Sequence, residues 1–170
     1  SILTTVRNEN NIQLALAPYY YFTSSIYEGE CSSNRVALMT AKNSDTPLYL
    51  AKINGKQVYE LVGNYLADFD SDFYVTNKYE LPIASGMKII VKDKENGFSL
   101  KGIAVNEKKI DKEKEYSILL TDITMSILKK LYPECEITQL KDITLSSAWA
   151  AAMSKGQQPS APEDYIEVEK

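Results

Sequence analysis

The chain has 170 residues, 44% of them hydrophobic and 25% charged, with only seven glycines. This is the composition of an ordinary soluble globular domain, with enough length to bury roughly 70% of its unfolded surface without disulfide or metal staples. The formal net charge of −4 leaves no surplus of Lys and Arg to displace phosphate counterions, which argues against a nucleic-acid partner. The absence of histidine removes the Ser-His and Cys-His nucleophile systems, the usual general base and the commonest nitrogen ligand of zinc.

In chain order, "SILTTVRNEN" reads as the end of a helix: Ile2, Leu3 and Val6 recur at helical spacing and the Asn cluster closes it. The chain is therefore expected to be a mature protein or an excised piece that begins inside an element. "IQLALA" alternates Ile12, Leu14 and Leu16 with Gln13, Ala15 and Ala17, the pattern of a strand whose second face meets close packing. "SSNRVALMT" can form a short helix capped by Ser32 or Ser33, and "PLYLAKI" returns as a strand. Asn54-Gly55 signals a turn, after which Val58, Leu61, Val62, Tyr65 and Leu66 form one helical stripe despite Gly63. "GMKIIVKD" and "GFSLKGIAV", joined by "KENG", predict a hairpin, and "EYSILLTD" a third strand. "TDITMSILKKLY" predicts a helix capped by Thr121 or Asp122 and carrying Met125, Leu128 and Leu131. "LSSAWAAAMSKG" predicts a second helix ended by Gly156, and "YIEVE" a last strand.

No run approaches the roughly 18 apolar residues of a membrane span, and the N-terminus has no signal-peptide pattern. Walker and G-x-G-x-x-G loops are absent, since the glycines are scattered singly. Cys31 and Cys135 match no metal or redox spacing, and fit either one disulfide or two buried thiols. Asp68, Asp70 and Asp72 have the spacing of a calcium loop, but Phe73 stands where the loop needs glycine and Tyr79 where it needs glutamate; a polar loop closing the helix is the expectation. The interspersed charges of "KDKENG" and "NEKKIDKEKEY" mark solvated hairpin ends.

The stretch "PYYYFTSSIYEG" concentrates aromatic rings just after the first strand. Tyr19, Tyr20, Tyr21 and Phe22 cannot all point inward, because neighbouring residues alternate faces. Two readings stand: rings that cover a vacated pocket, or a stacking platform for a flat or sugar-like ligand.

"LAKINGKQVYELV", "LPIASGMKIIVKD" and "IAVNEKKIDKEKEYSILLTD", in this order, resemble the C-terminal domain of the 5'-nucleotidase family of secreted nucleotide hydrolases. Asn54-Gly55, Ser85-Gly86, and the set Asn106, Asp111 and Tyr116 stand at the family's turn positions, and the resemblance covers nearly the whole chain. It implies a single α+β domain over residues 1–170, layered, with a mixed β-sheet and flanking helices, in an extracellular or cell-envelope protein. In the family this domain binds the nucleoside between two aromatic rings, with arginines on phosphate or ribose oxygens, while a divalent metal pair sits in an upstream metallophosphoesterase domain. The chain itself is expected to need no cofactor and to perform no catalysis.

The resemblance breaks where the family grips its ligand. Thr23 stands for an arginine, Leu48 or Tyr49 for the first ring, Leu131 for the second, and Asp122 for an asparagine, in a helical stretch that replaces a Gly-rich loop. The expected ligand residues are accordingly Tyr19, Tyr20, Tyr21, Phe22, Thr23, Tyr49 and Asp122. The expected function is a substrate-binding accessory domain with altered or lost nucleotide preference, its ligand nucleoside-like or sugar-like. The alternative is a free-standing binding or interaction domain that kept only the fold.

Overall fold

A computed structural model describes residues 2–18, 46–67, 70–71, 74–75, 81–95, 97–155 and 165–169. The first helix, α1 (Ile2–Glu9), ends as the Asn cluster predicts: Asn11 adopts φ +53, and the Ile12 amide reaches back to the Arg7 carbonyl at 2.9 Å. That left-handed residue with its backward bond is a Schellman-type stop. Strand β1 (Leu14–Ala17) follows, and all four of its side chains are fully buried. Because successive side chains point to opposite faces, both faces of the sheet around β1 are covered.

Strand β2 (Pro47–Asn54) leads directly into α2 (Gly55–Leu66). Asn54 is both the end of the strand and the cap of the helix. Its Oδ1 accepts from the Gln57 amide and Gln57 Oε1 accepts from the Asn54 amide, both at 2.9 Å, a reciprocal capping box. The predicted stripe is observed, with Val58, Leu61, Val62, Tyr65 and Leu66 all buried. Two further N-terminal amides, which no helical partner can satisfy, bond to the loop ahead of the last central strand: Gly55 to the Lys114 carbonyl and Lys56 to the Lys112 carbonyl, each at 3.0 Å.

Short strands β3 (Asp70–Ser71) and β4 (Tyr74–Val75) pair with each other, and β5 (Ile83–Ser85) turns at Gly86 into β6 (Lys88–Lys94). The predicted hairpin is β6 with β7 (Gly97–Val105), which continues through Asn106 and Glu107 into β8 (Lys108–Lys109). Asn106 and Glu107 have φ +51 and +62, the geometry of a two-residue hairpin turn that Asn-Gly would enter without strain. Then come β9 (Glu115–Leu120), α3 (Asp122–Leu131), β10 (Ile137–Thr144), α4 (Leu145–Ser154) and β11 (Ile166–Glu169).

The strands form a mixed five-stranded sheet in the order β10-β2-β9-β1-β5, with β1 and β9 parallel, and a second sheet in the order β11-β6-β7-β8. Helices α1 and α4 pack on each other, α1 also on β1 and β5 and α4 on β10, while α2 and α3 pack on each other and on the central strands; α2 also meets β7 of the second sheet. The expected layered α+β architecture is observed. "EYSILLTD", however, joins the first sheet between β1 and β2 instead of extending the hairpin. Ile118, Leu119 and Leu120 are each 0% exposed, so both faces of β9 are apolar, and only a central position buries both.

Helix α3 forms as expected and buries Leu128, with Met125 and Leu131 packed against the core, but its most buried face also takes in a threonine. Ile123, Thr124, Ile127 and Leu128 are buried, while Met125 and Leu131 are half-buried. The cause is polar: Thr124 Oγ1 donates to the Leu16 carbonyl at 3.2 Å and accepts from the Thr121 amide at 3.0 Å, which turns that face inward.

Between α2 and α3, the Tyr132 hydroxyl donates to Glu60 Oε2. Burial, the hydrogen bond to Glu60 and the Glu60 charge push the Tyr132 hydroxyl up to about 12. A pKa raised above the unfolded value of about 10 favours the folded state below pH 10, and that contribution is lost as the pH rises through 12. Denaturant unfolding followed between pH 8 and 12 is expected to show this loss in the native chain, and a smaller one in Tyr132→Phe, which should cost about 1 kcal/mol at pH 8.

Candidate ligand-binding end of the sheet

Parallel pairing of β1 with β9 brings the C-terminal ends of both strands to one edge of the five-stranded sheet. The antiparallel neighbours β2 and β5 begin there, and β10 ends there: Tyr49 pairs with Leu120, Ile83 with Ala17, and Thr144 with Pro47. The chain therefore leaves the sheet at Pro18 and re-enters at Thr46 on the same side, beside the start of α3. Connections at the C-terminal ends of parallel strands are where α/β proteins commonly build ligand sites.

Of the predicted ligand residues, two are described and the sheet holds them close in register. Tyr49 is half-exposed on β2, opposite Leu120 on β9 and Gln139 on β10. Asp122 follows two residues after Leu120, in the first turn of α3, where its Oδ1 accepts from the Ile123 amide at 2.8 Å. A carboxylate there also complements the positive end of the helix dipole. Leu48 is 0% exposed, so of the two candidates for the first ring position only Tyr49 has surface to offer. Tyr19, Tyr20, Tyr21, Phe22 and Thr23 lie outside the described residues, as do the helix predicted from Ser32 or Ser33, Gly156, and Cys31.

Leu131 does not sit at this edge. It closes α3, nine residues beyond Asp122, which at 1.5 Å per residue is roughly 13 Å along the helix. Sequence reasoning also passed over β10, which borders the site. Between Gln139 and Thr144 its register against β2 slips, and Asp142 adopts φ +59. The half-exposed pattern of this edge strand hides the alternation, and its β-branched residues, Ile137, Thr138, Ile143 and Thr144, were the available signal. Thr144 also caps α4 reciprocally with Ser147, at 2.8 and 3.1 Å.

Among the described residues no group of three His, Cys, Asp or Glu side chains could hold a metal ion, and no helix is long and apolar enough to cross a membrane. Asp70 lies in β3, while Asp68 and Asp72 are outside the described residues. Burial pushes the half-buried Cys135 thiol above its ordinary value, against the lowering effect of Lys129.

The residues that carry the family resemblance prove to be joints of the fold. Gly55 presses on the Asp111 carbonyl, the Asp111 amide donates to the Tyr116 hydroxyl at 3.3 Å, and Ser85 Oγ bonds to Thr4 Oγ1 at 2.9 Å and accepts from Arg7 Nε at 3.0 Å. They hold α1, α2 and the loop before β9 in place, and so define a class of scaffold without specifying a ligand.

That class is visible in solved structures. No family model matches the chain, and no curated protein matches it. The chain is similar to part of the NAD nucleotidase of Haemophilus influenzae, with a TM-score of 0.73 and 16% identity over 99% of this chain and 32% of that one. It is similar to part of a 5'-nucleotidase precursor of Thermus thermophilus, with a TM-score of 0.72 and 14% identity over 98% of this chain and 33% of that one. A Thermus thermophilus sulfate thiohydrolase, solved with glycerol, matches with a TM-score of 0.71 and 15% identity over 98% of this chain and 31% of that one. The fold is thus similar to the C-terminal domain of 5'-nucleotidases, and the chain spans about a third of the length of each of these proteins.

Proposed function

We propose that the chain is a non-catalytic, substrate-binding accessory domain of a secreted or cell-envelope 5'-nucleotidase-like metallophosphoesterase, with the usual nucleotide-binding residues degenerate. The observation that carries this reading is the convergence of β1, β2, β9 and the start of α3 at one edge, where the aromatic stretch after Pro18 departs. On this reading the domain presents a ligand to an upstream domain that holds the divalent metal pair. Tyr49 supplies a half-exposed ring and Asp122 an acceptor for ligand hydroxyls, with Tyr19 to Thr23 completing the site. Nucleic acid is not a partner on this reading, in keeping with the acidic balance. One structural neighbour is named for a sulfate thiohydrolase, which supports a scaffold that serves substrates other than nucleotides.

The sequence has no histidine and the described residues hold no group of three metal-ligating side chains, and on this reading the water that cleaves a phosphoester is activated in the upstream domain. The 170-residue chain, assayed on nucleoside monophosphates and a generic phosphomonoester with magnesium, manganese or zinc, is expected to give no turnover above the metal alone. Metal-dependent turnover that a point substitution within the chain abolishes would overturn the accessory reading.

A further inference from the structure

A cleft of about 690 Å³ lies at the opposite end of the five-stranded sheet, where β1 and β9 begin and the second sheet abuts the first. Neither Tyr49 nor Asp122 lines it. Its volume falls in the range typical of small-molecule sites. Arg7, in the last turn of α1, is held on its wall by two bonds, Nε to Ser85 Oγ at 3.0 Å and Nη1 to the Gln13 carbonyl at 3.1 Å. Ser85 is itself 0% exposed, so the guanidinium is anchored from the core. Gly86 makes room for it: a Cβ there would stand 3.0 Å from Nη1 and 2.1 Å from the Gln13 carbonyl oxygen.

Among the described residues no carboxylate pairs with Arg7. Two further cations line the cleft. Lys114 is exposed and lies over the Tyr116 ring, 5.4 Å from its centroid, and Lys88 reaches Glu167 at 2.6 Å. Glu107 is the one carboxylate among the described residues of the lining, and Glu167 offsets Lys88 from outside it, so that Arg7 and Lys114 leave the cleft with a positive excess in a chain whose overall balance is acidic. Met87 and Val105 add apolar surface. A guanidinium fixed in advance loses little freedom when it grips an oxyanion, and its planar donors suit phosphate and carboxylate alike.

We propose that this cleft binds a small organic anion, its phosphate or carboxylate group on the edge formed by Arg7 and Lys114 and its apolar body against Met87 and Val105. The site is independent of the ligand end described above. Nitrogen-15 NMR titrations of the chain with inorganic phosphate and, separately, with succinate, at constant ionic strength, test it. Saturable shifts are expected at the Gln13, Gly86 and Asn106 amides and at Arg7 Nε–H, with Tyr49 and Asp122 unmoved. Affinity should fall about tenfold in Arg7→Gln and about threefold in Lys114→Ala. The stronger of the two anions identifies the ligand group, and equal strength identifies a site that accepts both. If Arg7→Gln does not fold, Lys114→Ala decides, because its exposed side chain is not needed for packing. No saturable shift with either anion up to about 50 mM, or shifts of equal affinity in native chain and variant, would overturn the site.

Discussion

Replacing Gly55 by alanine is expected to lower the unfolding free energy by about 3 kcal/mol or more and the Tm by about 10 °C, measured by denaturant and thermal unfolding. The added Cβ would lie 2.1 Å from the Asp111 carbonyl oxygen, 2.9 Å from its carbon and 3.1 Å from Ile110 Cγ1. Two of these atoms are backbone, so no side-chain rotation relieves the clash. The helix N-terminus must withdraw, and with it go the bonds from the Gly55 and Lys56 amides to the loop carbonyls. Gly63, on the same helix, is the control, since a Cβ there meets only Leu100 Cδ2 at 3.8 Å. Gly63→Ala should therefore stabilise by about 0.5 to 1 kcal/mol through helix propensity. A Gly55→Ala variant as stable as the native chain would mean that α2 does not abut the loop before β9.

Leu120→Ala is the second large effect, expected at about 3 kcal/mol. Leu120 is 0% exposed and pairs with Leu16 on one side and Tyr49 on the other, at the point where three strands reach the candidate site. Truncation removes the transfer energy of the lost methyl groups and leaves a void that this clamped edge cannot collapse to fill. Val168→Ala, on the edge strand β11 and 47% exposed, should stay within about 0.5 kcal/mol. Equal costs for the two variants would place Leu120 outside the core.

Elements with one strong period were legible in the sequence. The α2 stripe, the β6–β7 hairpin and the Asn11 stop follow from local patterns that the tertiary structure then reinforces. Sheet membership was less so, because "EYSILLTD" follows the hairpin in the chain and only its two-faced apolar run, Ile118 to Leu120, shows that it belongs between other strands. In α3 the burial of Leu128 is legible from its spacing but that of Thr124 is not, because Thr124 is polar and its bond to the Leu16 carbonyl joins positions 108 residues apart. At the candidate site, Tyr49 and Asp122 could be named from the family resemblance, yet their proximity comes from β2–β9 register, which no local pattern encodes. The same holds for Arg7, Lys88 and Lys114, which come from a helix, a strand of the second sheet and the loop before β9, and carry no shared motif.

The fold retained while the nucleotide grip is lost is the core of the proposal, and a calorimetric titration of adenosine monophosphate into the chain tests it most directly. On that proposal Thr23 stands for an arginine and Leu131, at the far end of α3, for the second ring, so stacking and charge-assisted hydrogen bonds are expected to be missing, and binding no tighter than about 1 mM should be measured. A micromolar dissociation constant that weakens at least tenfold in Tyr49→Ala would contradict it, and would identify the sheet edge as a working nucleotide site.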